Sequence, residues 1–247
     1  MGQNSRGIGK NRNAKEDDGK MISEMLVVLR RAKDILQTEG LRPLVRRGFD
    51  FMRRRFFRYG GYYLYKSTLG ELDLADLTPK IQGLTFNIIC SNEEADELAA
   101  TTGHDFRRRF VNARKSLDKG AIAFCTFAKG EIVNIGWVAL SEEAKKTLDP
   151  LLQKVDFSNN EAYLSGGETI PEYRRKGLAE HNFCSRLQFL REKGGTSMRL
   201  AMGVSNIAPQ KVALRHGAQI YARARYMRIL WWKSWKEIPL AQRVHGD

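Results

Sequence analysis

Cysteine is scarce in this chain and never paired. Cys90, Cys125 and Cys184 are the three in 247 residues, and no C-x-x-C occurs, so neither a disulfide framework nor a zinc site is supported. Histidine is equally sparse at four, and no metal is expected. No run approaches the ~18 apolar residues that cross a bilayer as a helix. The opening MGQNSRGIGKNRNAKEDDGK lacks the apolar core of a secretory signal, and Arg6 stands where a myristoylation pattern wants Ser or Thr. These absences lead to the expectation of a cytoplasmic protein, with peripheral attachment to the inner face of a membrane left open. At 42% hydrophobic and 28% charged residues, the chain also has too much apolar material to be wholly disordered.

What is abundant is positive charge: 42 Lys and Arg against 28 Asp and Glu, a formal +14. It is unevenly laid out. Residues 1–80 carry 17 basic and 10 acidic side chains, residues 81–170 carry 10 and 13, and residues 171–247 carry 15 and 5. The organisation read from this is a polar disordered tail over 1–20, a basic amphipathic helical extension over 21–80, and one folded domain over 81–240. In the extension, residues 21–38 place Ile22, Met25, Leu26, Leu29 and Leu36 at helical spacing, and residues 41–58 repeat the pattern with Leu41, Val45, Phe49, Met52 and Phe56. Residues 41–66 hold eight basic side chains against Asp50 alone. Three readings of that stretch stay open: a helix packed on the domain behind it, a helix lying on an anionic membrane surface, and a nucleic-acid contact.

From Leu84 onward the texture alternates. LTFNIIC reads as a strand, and residues 91–103 as a helix begun by Ser91 or Asn92 with acids at its positive end. A second helix is expected over 104–120. Strands at 121–127 and 132–140 form a hairpin, and the strand at 161–171 is interrupted by Gly166-Gly167, the mark of a bulge or bend. A helix over 177–193, a strand over 197–205, a helix over 207–216 and a long final strand over 218–232, with room for a turn, complete an α/β (α+β) domain with a mixed central sheet flanked by helices.

The segment richest in chemistry is ETIPEYRRKGLAEHNF, residues 168–183. A strand ends at Pro171 and a short basic loop opens a helix. The first N–H groups of a helix lack intrahelical partners and sit at the positive end of its dipole, so they attract phosphate. Gly177 and the small Ala179 let an anion approach the backbone, and Arg174, Arg175 and Lys176 add formal charge. With Arg174, Gly177 and Ala179 in register, the loop resembles the (Q/R)-x-x-G-x-(G/A) signature of the GNAT superfamily of acetyl-CoA-dependent N-acetyltransferases. The resemblance covers about residues 84–232, and Asn206, an Asn shortly after the next strand, is a second landmark. It implies that Thr169, Ile170 and Pro171 lie along the pantetheine arm of acetyl-CoA. Arg175, Lys176, Gly177, Leu178 and Ala179 would then surround its pyrophosphate, with Arg174 and Asn206 also on the cofactor side. It departs from the family at Ala213, where a Tyr that protonates the leaving thiolate is usual.

Transfer from acetyl-CoA to an amine needs a proton acceptor, and Glu168, expected to be partly buried in the cleft, is the base candidate. With Tyr absent at 213, the proton donor is left among Tyr221, Tyr226, Ser205 and a water, with Tyr221 taken as the candidate acid. The implied activity is that of an acyl-CoA-dependent N-acetyltransferase. The basic regions favour an anionic acceptor, either a sugar nucleotide or a lipid-linked amino sugar. Two alternatives remain: a catalytically weak GNAT-like module that binds CoA for regulation, and a basic nucleic-acid-binding protein.

Overall fold

The computed structural model describes residues 57–71, 79, 81–110 and 112–240. The expected tail over 1–20 and the helices over 21–38 and 41–56 lie outside the described residues. The chain divides into two compact units. One is Met1–Arg58 with Arg228–Trp232; the other is Tyr59–Met227 with Lys233–Asp247 and carries the fold described next.

Eight strands form one mixed sheet: β1 (Phe57–Thr68), β2 (Leu84–Ile89), β3 (Ala121–Ala128), β4 (Glu131–Ala139), β5 (Glu161–Thr169), β6 (Ser197–Gly203), β7 (Gln219–Ile229) and β8 (Trp232–Pro239), in the order β2-β3-β4-β5-β6-β1-β7-β8. Helices α1 (Asn92–Thr102), α2 (Ala113–Asp118) and α3 (Glu142–Leu148) cover one face, and α4 (Leu178–Glu192) and α5 (Ile207–Arg215) cover the other. On the α4 side, Phe183, Leu187, Leu190 and Ala213 pack on Tyr65, Phe124, Val138, Leu164 and Leu200. On the α1 side, Ala95, Phe106, Leu117 and Ala144 pack on Ile89, Ala123, Phe127, Ile135, Trp137 and Tyr163. All eight residues of β3 are buried, as befits a strand sandwiched between two helical layers.

Two sequence expectations are corrected. Residues 57–68 are not part of a helical extension but form β1, antiparallel to β6 from Tyr62↔Gly203 to Thr68↔Ser197. The alternation explains it: Tyr63 and Tyr65 point to the α4 side, while Tyr62 and Leu64 point to the other, beside Ala222, Ala224 and Trp235. The helix expected over 104–120 is helical only at Ala113–Asp118, preceded by a 3-10 turn at Phe106–Arg108. Asp105 caps that turn through the Arg107 N–H, and the buried Arg107 guanidinium is tied to Asp105, Asp96 and Asn92. This local network outcompetes a continuous helix.

The β5–β6 base is fastened by Glu161, buried and bonded to Arg199 (2.5 and 3.0 Å), Ser197 (3.0 Å) and Lys66 (2.9 Å). Burial alone would raise its pKa, but hydrogen bonds from Arg199, the Asp156 N–H and Lys66 outweigh it and hold the carboxyl at about 2. A depressed folded-state pKa gives stability that is present above the unfolded value and lost as pH falls toward the folded one. Glu161→Gln is therefore expected to destabilise by about 3 kcal/mol at neutral pH, at ~1.4 kcal/mol per pK unit. The gap to the parent protein should close as pH drops from about 4.5 toward 2, read by urea unfolding across that range.

Candidate functional site: a cradle, a wedge and its apex

The loop after β5 is built to leave backbone donors facing outward. Ile170 donates its N–H to Val133 O (3.0 Å), Pro171–Tyr173 form a 3-10 turn, and Arg174 Nε donates to Thr169 O (3.1 Å). Arg175 then adopts φ +60° and Gly177 φ +83°, and α4 starts at Leu178. Leu178 is buried among Ala128, Val133, Ile170 and Tyr173, which pins the helix start to the sheet. The N–H groups of Leu178, Ala179 and Glu180 have no intrahelical acceptor. A Cβ on Gly177 would meet nothing within 4 Å, so the space at this position is open. Arg174, Arg175 and Lys176 are exposed around it, Lys176 with its Nζ 4.9 Å over the Tyr173 ring. The one acid of this first turn, Glu180, is held by Arg215 (2.6 Å) and His216 (2.8 Å) from α5, so its charge is matched.

Upstream of the cradle the sheet opens. β5 and β6 run parallel and pair at Glu161↔Ser197, Ala162↔Met198 and Tyr163↔Arg199. There the pairing stops, although β5 continues to Thr169 and β6 to Gly203. Each keeps its outer neighbour: β4 holds β5 as far as Asn134↔Thr169, and β1 holds β6 as far as Tyr62↔Gly203. Two strand edges therefore diverge across a wedge that leads to the cradle. Some of its carbonyls are met by side chains: Gly203 O by Gln210 Nε2 (2.7 Å), Ser165 O by Arg186 Nη1 (3.3 Å). The remaining edge suits an extended ligand with amides of its own.

A bulge sits beside the wedge. Opposite β4, the register moves from Trp137↔Ser165 to Ile135↔Glu168, so β5 carries one extra residue around Gly166-Gly167, where the sequence signalled it. Gly166 is at φ +62°, and a Cβ there would lie 2.8 Å from Trp137 Cδ1. Across from it, Gly136 makes room for α4: a Cβ would fall 2.2 Å from Asn182 Oδ1 and 2.9 Å from Arg186 Cζ. Asn182 donates to Phe124 O (2.8 Å), and Arg186 braces the bulge by donating to Trp137 O and Ser165 O (both 3.3 Å). Burial lowers the Arg186 pKa to about 10, which leaves it a cation at neutral pH. Gly136→Ala is expected to cost about 1–3 kcal/mol by overpacking, visible as a lower urea midpoint.

At the apex, where β5 and β6 part, polar side chains gather on the α3 side. The Tyr163 hydroxyl bonds Asp149, whose carboxylate also accepts from the Leu151 N–H (2.9 Å) and more weakly from Ser165 Oγ (3.4 Å). Lys145 is buried next to it, donating to Leu151 O (2.9 Å) with its Nζ 5.2 Å over the Tyr163 ring. Tyr221 joins from β7, accepting from Gln153 Nε2 (2.9 Å) and Arg199 Nη1 (3.3 Å). Burial pushes the Asp149 carboxyl above the usual carboxylate range, against the Tyr163 and Leu151 hydrogen bonds and the Lys145 charge. Burial likewise lowers Lys145 and, helped by Asp149, raises Tyr163. A carboxylate whose pKa is raised accepts a proton more readily than an ordinary surface acid.

No protein-family model matches the chain, and no curated protein matches it in sequence. Among solved structures it is similar to several acetyltransferases. A GCN5-related N-acetyltransferase-like protein from Streptococcus suis aligns at 14% identity and TM-score 0.48, over 73% of this chain and 67% of that one. A GNAT-family putative acetyltransferase from Novosphingobium aromaticivorans aligns at 13% and 0.44, over 71% and 66%. A GCN5-related glucosamine N-acetyltransferase region in a fungal multi-domain β-N-acetylglucosaminidase aligns at 15% and 0.48, over 74% of this chain and 23% of that one. A Drosophila protein is spanned to 58% of its length.

The remaining sequence candidates fall as follows. Glu168 is not partly buried: its side chain is 55% exposed and lies 3.5 Å from Arg109, in a shallow hollow with Phe110, Ile135 and Ile170. The bulge turns it outward, which the strand alternation could not reveal. Asn134 Nδ2 pins the end of β5 through Glu168 O (3.1 Å) and Thr169 Oγ1 (2.8 Å). Of the three residues expected along an arm, Thr169 ends β5 opposite Asn134, Ile170 donates its N–H to Val133 O, and Pro171 has no N–H to give. Asn206 is exposed at the start of α5 and closes the end of β6 through its N–H to Gly203 O (2.9 Å). Ala213 lies in the core, where a Tyr would have no room. Asp149 went unnoticed in sequence because it precedes Pro150 in an irregular stretch and looks like a surface acid.

Proposed function

We propose that the protein is an acyl-CoA-dependent N-acyltransferase that uses acetyl-CoA. The carrying observation is the continuity of two features: a wedge between parallel strands leading into a glycine-gated, basic helix start. A pantetheine arm brings two amides, which match strand edges, and a pyrophosphate matches the N–H groups of Leu178, Ala179 and Glu180 with Arg174, Arg175 and Lys176 around them. Thr169 would contribute at the mouth, and Ile170, Pro171 and Asn206 would shape it without donating to the ligand.

The reaction needs little more. An amine nitrogen attacks the thioester carbonyl carbon, the C–N bond forms, and the C–S bond breaks to release the thiolate. The ammonium proton passes to a carboxylate and the thiolate takes up a proton. Asp149 is the favoured acceptor for its position at the apex and its raised pKa, with Glu168 the second candidate. Tyr221, which accepts two hydrogen bonds and keeps its own O–H to donate, is the candidate acid. No covalent enzyme intermediate is invoked.

For the acceptor, the net +10 of residues 171–247 supports an anionic amine, a sugar nucleotide or a lipid-linked amino sugar. Ala213 favours a second reading, a CoA-binding module with weak turnover. The nucleic-acid reading and the membrane reading of residues 41–66 rest mainly on residues outside those described. Isothermal titration of the full chain with acetyl-CoA, and with CoA as reference, tests the assignment. Micromolar binding followed by thiol release with an amino-sugar panel is expected. A folded protein that binds neither ligand would overturn it, and binding without turnover on any amine would favour the second reading.

A further inference from the structure

The turn between β7 and β8 presents apolar side chains where turns ordinarily present polar ones. Ile229, Leu230, Trp231 and Trp232 are 41, 46, 85 and 52% exposed, four large hydrophobic residues in succession. Scattered exposed apolar residues are ordinary; a contiguous set at a turn is not. Leu230 sits at φ +57°, a conformation Gly or Asn adopts more readily, so an apolar side chain is kept at the tip against a backbone preference. Trp235 packs, with its ring 6.3 Å from Tyr62 and 6.4 Å from Tyr226, but the two tryptophans at the turn do not follow it inward.

The charge along this hairpin is mostly of one sign. From Gln219 to Pro239 the sequence carries Arg223, Arg225, Arg228, Lys233 and Lys236 against Glu237 alone, which accepts from Trp235 Nε1 (2.7 Å), and Arg223 donates to the Tyr63 hydroxyl (2.9 Å). Tryptophan is enriched at bilayer interfaces, where its ring sits at the headgroup level, and Lys and Arg beside it meet anionic headgroups. We propose that the Ile229–Trp232 turn inserts into the interface of an anionic lipid bilayer and holds the protein there peripherally. The occupant is chosen by complementarity: aromatic and aliphatic tip for the acyl boundary, cationic flanks for the anionic headgroups. The inference stands apart from the acyltransferase reading.

The test is co-sedimentation of the full chain with vesicles of phosphatidylcholine alone and with added phosphatidylglycerol, some carrying brominated acyl chains to quench tryptophan. Binding to the anionic vesicles with quenching is expected. The double variant Trp231→Ser, Trp232→Ser should partition about tenfold more weakly and lose most of the quenching, with its thermal midpoint unchanged. Several results would overturn the proposal: no binding of the parent protein to anionic vesicles, equal binding by the variant, or binding without quenching that high salt fully reverses. So would self-association of the parent in sedimentation velocity that the variant lacks, without vesicle binding, since the turn would then serve a second copy.

Discussion

Replacing Gly177 by valine should reduce acetyl-CoA binding by about 100-fold or more, a loss of ~2.7 kcal/mol, while leaving the protein folded. Two effects combine at this position. The backbone is at φ +83°, where a β-branched residue is strongly disfavoured, so the loop would shift and misaim the N–H groups of Leu178, Ala179 and Glu180. The added side chain would also project into the open space at this position, beside the helix start at which the pyrophosphate is proposed to sit. The folding cost is expected to be about 1–2 kcal/mol, the ordinary penalty of a left-handed L-residue. No neighbouring atom lies within 4 Å of the new Cβ, so no clash adds to it. Gly177→Ala should fall between, with the strain but little of the obstruction. Titration calorimetry with acetyl-CoA, alongside thermal unfolding, checks the series. Undiminished affinity in the valine variant would sink the cradle assignment.

The cradle is the part of the site that sequence reveals best, because everything it needs is local: a strand end, a Pro-initiated turn, three cations, a glycine and a helix start within a dozen residues. The bulge was legible for the same reason, since Gly166-Gly167 interrupts an otherwise regular strand. The hairpin of β3 and β4 follows from Lys129 and Gly130, both at positive φ, as a two-residue turn requires. The wedge was not legible. It depends on β6 keeping β1 as a neighbour while leaving β5, a choice that joins residues about 130 to 140 apart in sequence. β1 itself was hidden although its alternation is plain in Tyr62, Tyr63, Leu64 and Tyr65, because an arginine-rich amphipathic run precedes it and no local signal names a partner. Arg186 reads as a solvated helix charge and is instead the brace of the bulge, admitted by the missing Cβ of Gly136 fifty residues earlier. Polar residues whose role is set by long-range approach carry no local signature.

The same reasoning gives Asp149 a distinct experimental profile. Asp149→Asn should lower turnover by roughly 100-fold or more, within the usual range for loss of a general base. Asparagine keeps the shape, and its one oxygen can still accept from the Leu151 N–H while its Nδ2 donates to the Tyr163 oxygen in place of the second carboxylate oxygen, but it cannot take a proton. The parent protein's rate should rise with pH through the Asp149 ionisation, since the carboxylate is the working form, and that rise should vanish in the variant. Stability should move the other way. A carboxyl whose folded pKa is raised contributes most to stability below its unfolded pKa and loses that contribution as pH climbs through the folded value. Above its folded pKa the buried carboxylate is a cost, so there the variant should be as stable as the parent or slightly more so, despite its loss of activity. The groups that could blur this are Lys145, whose ammonium would lose its nearby acid, and Tyr163, whose hydroxyl faces the substituted position. Glu168→Gln, on an exposed side chain beside Arg109, should change the rate by only a few-fold by comparison. Steady-state rates for both variants across pH decide between them: full activity in Asp149→Asn with loss in Glu168→Gln would return the base to Glu168 and leave the apex cluster a structural one.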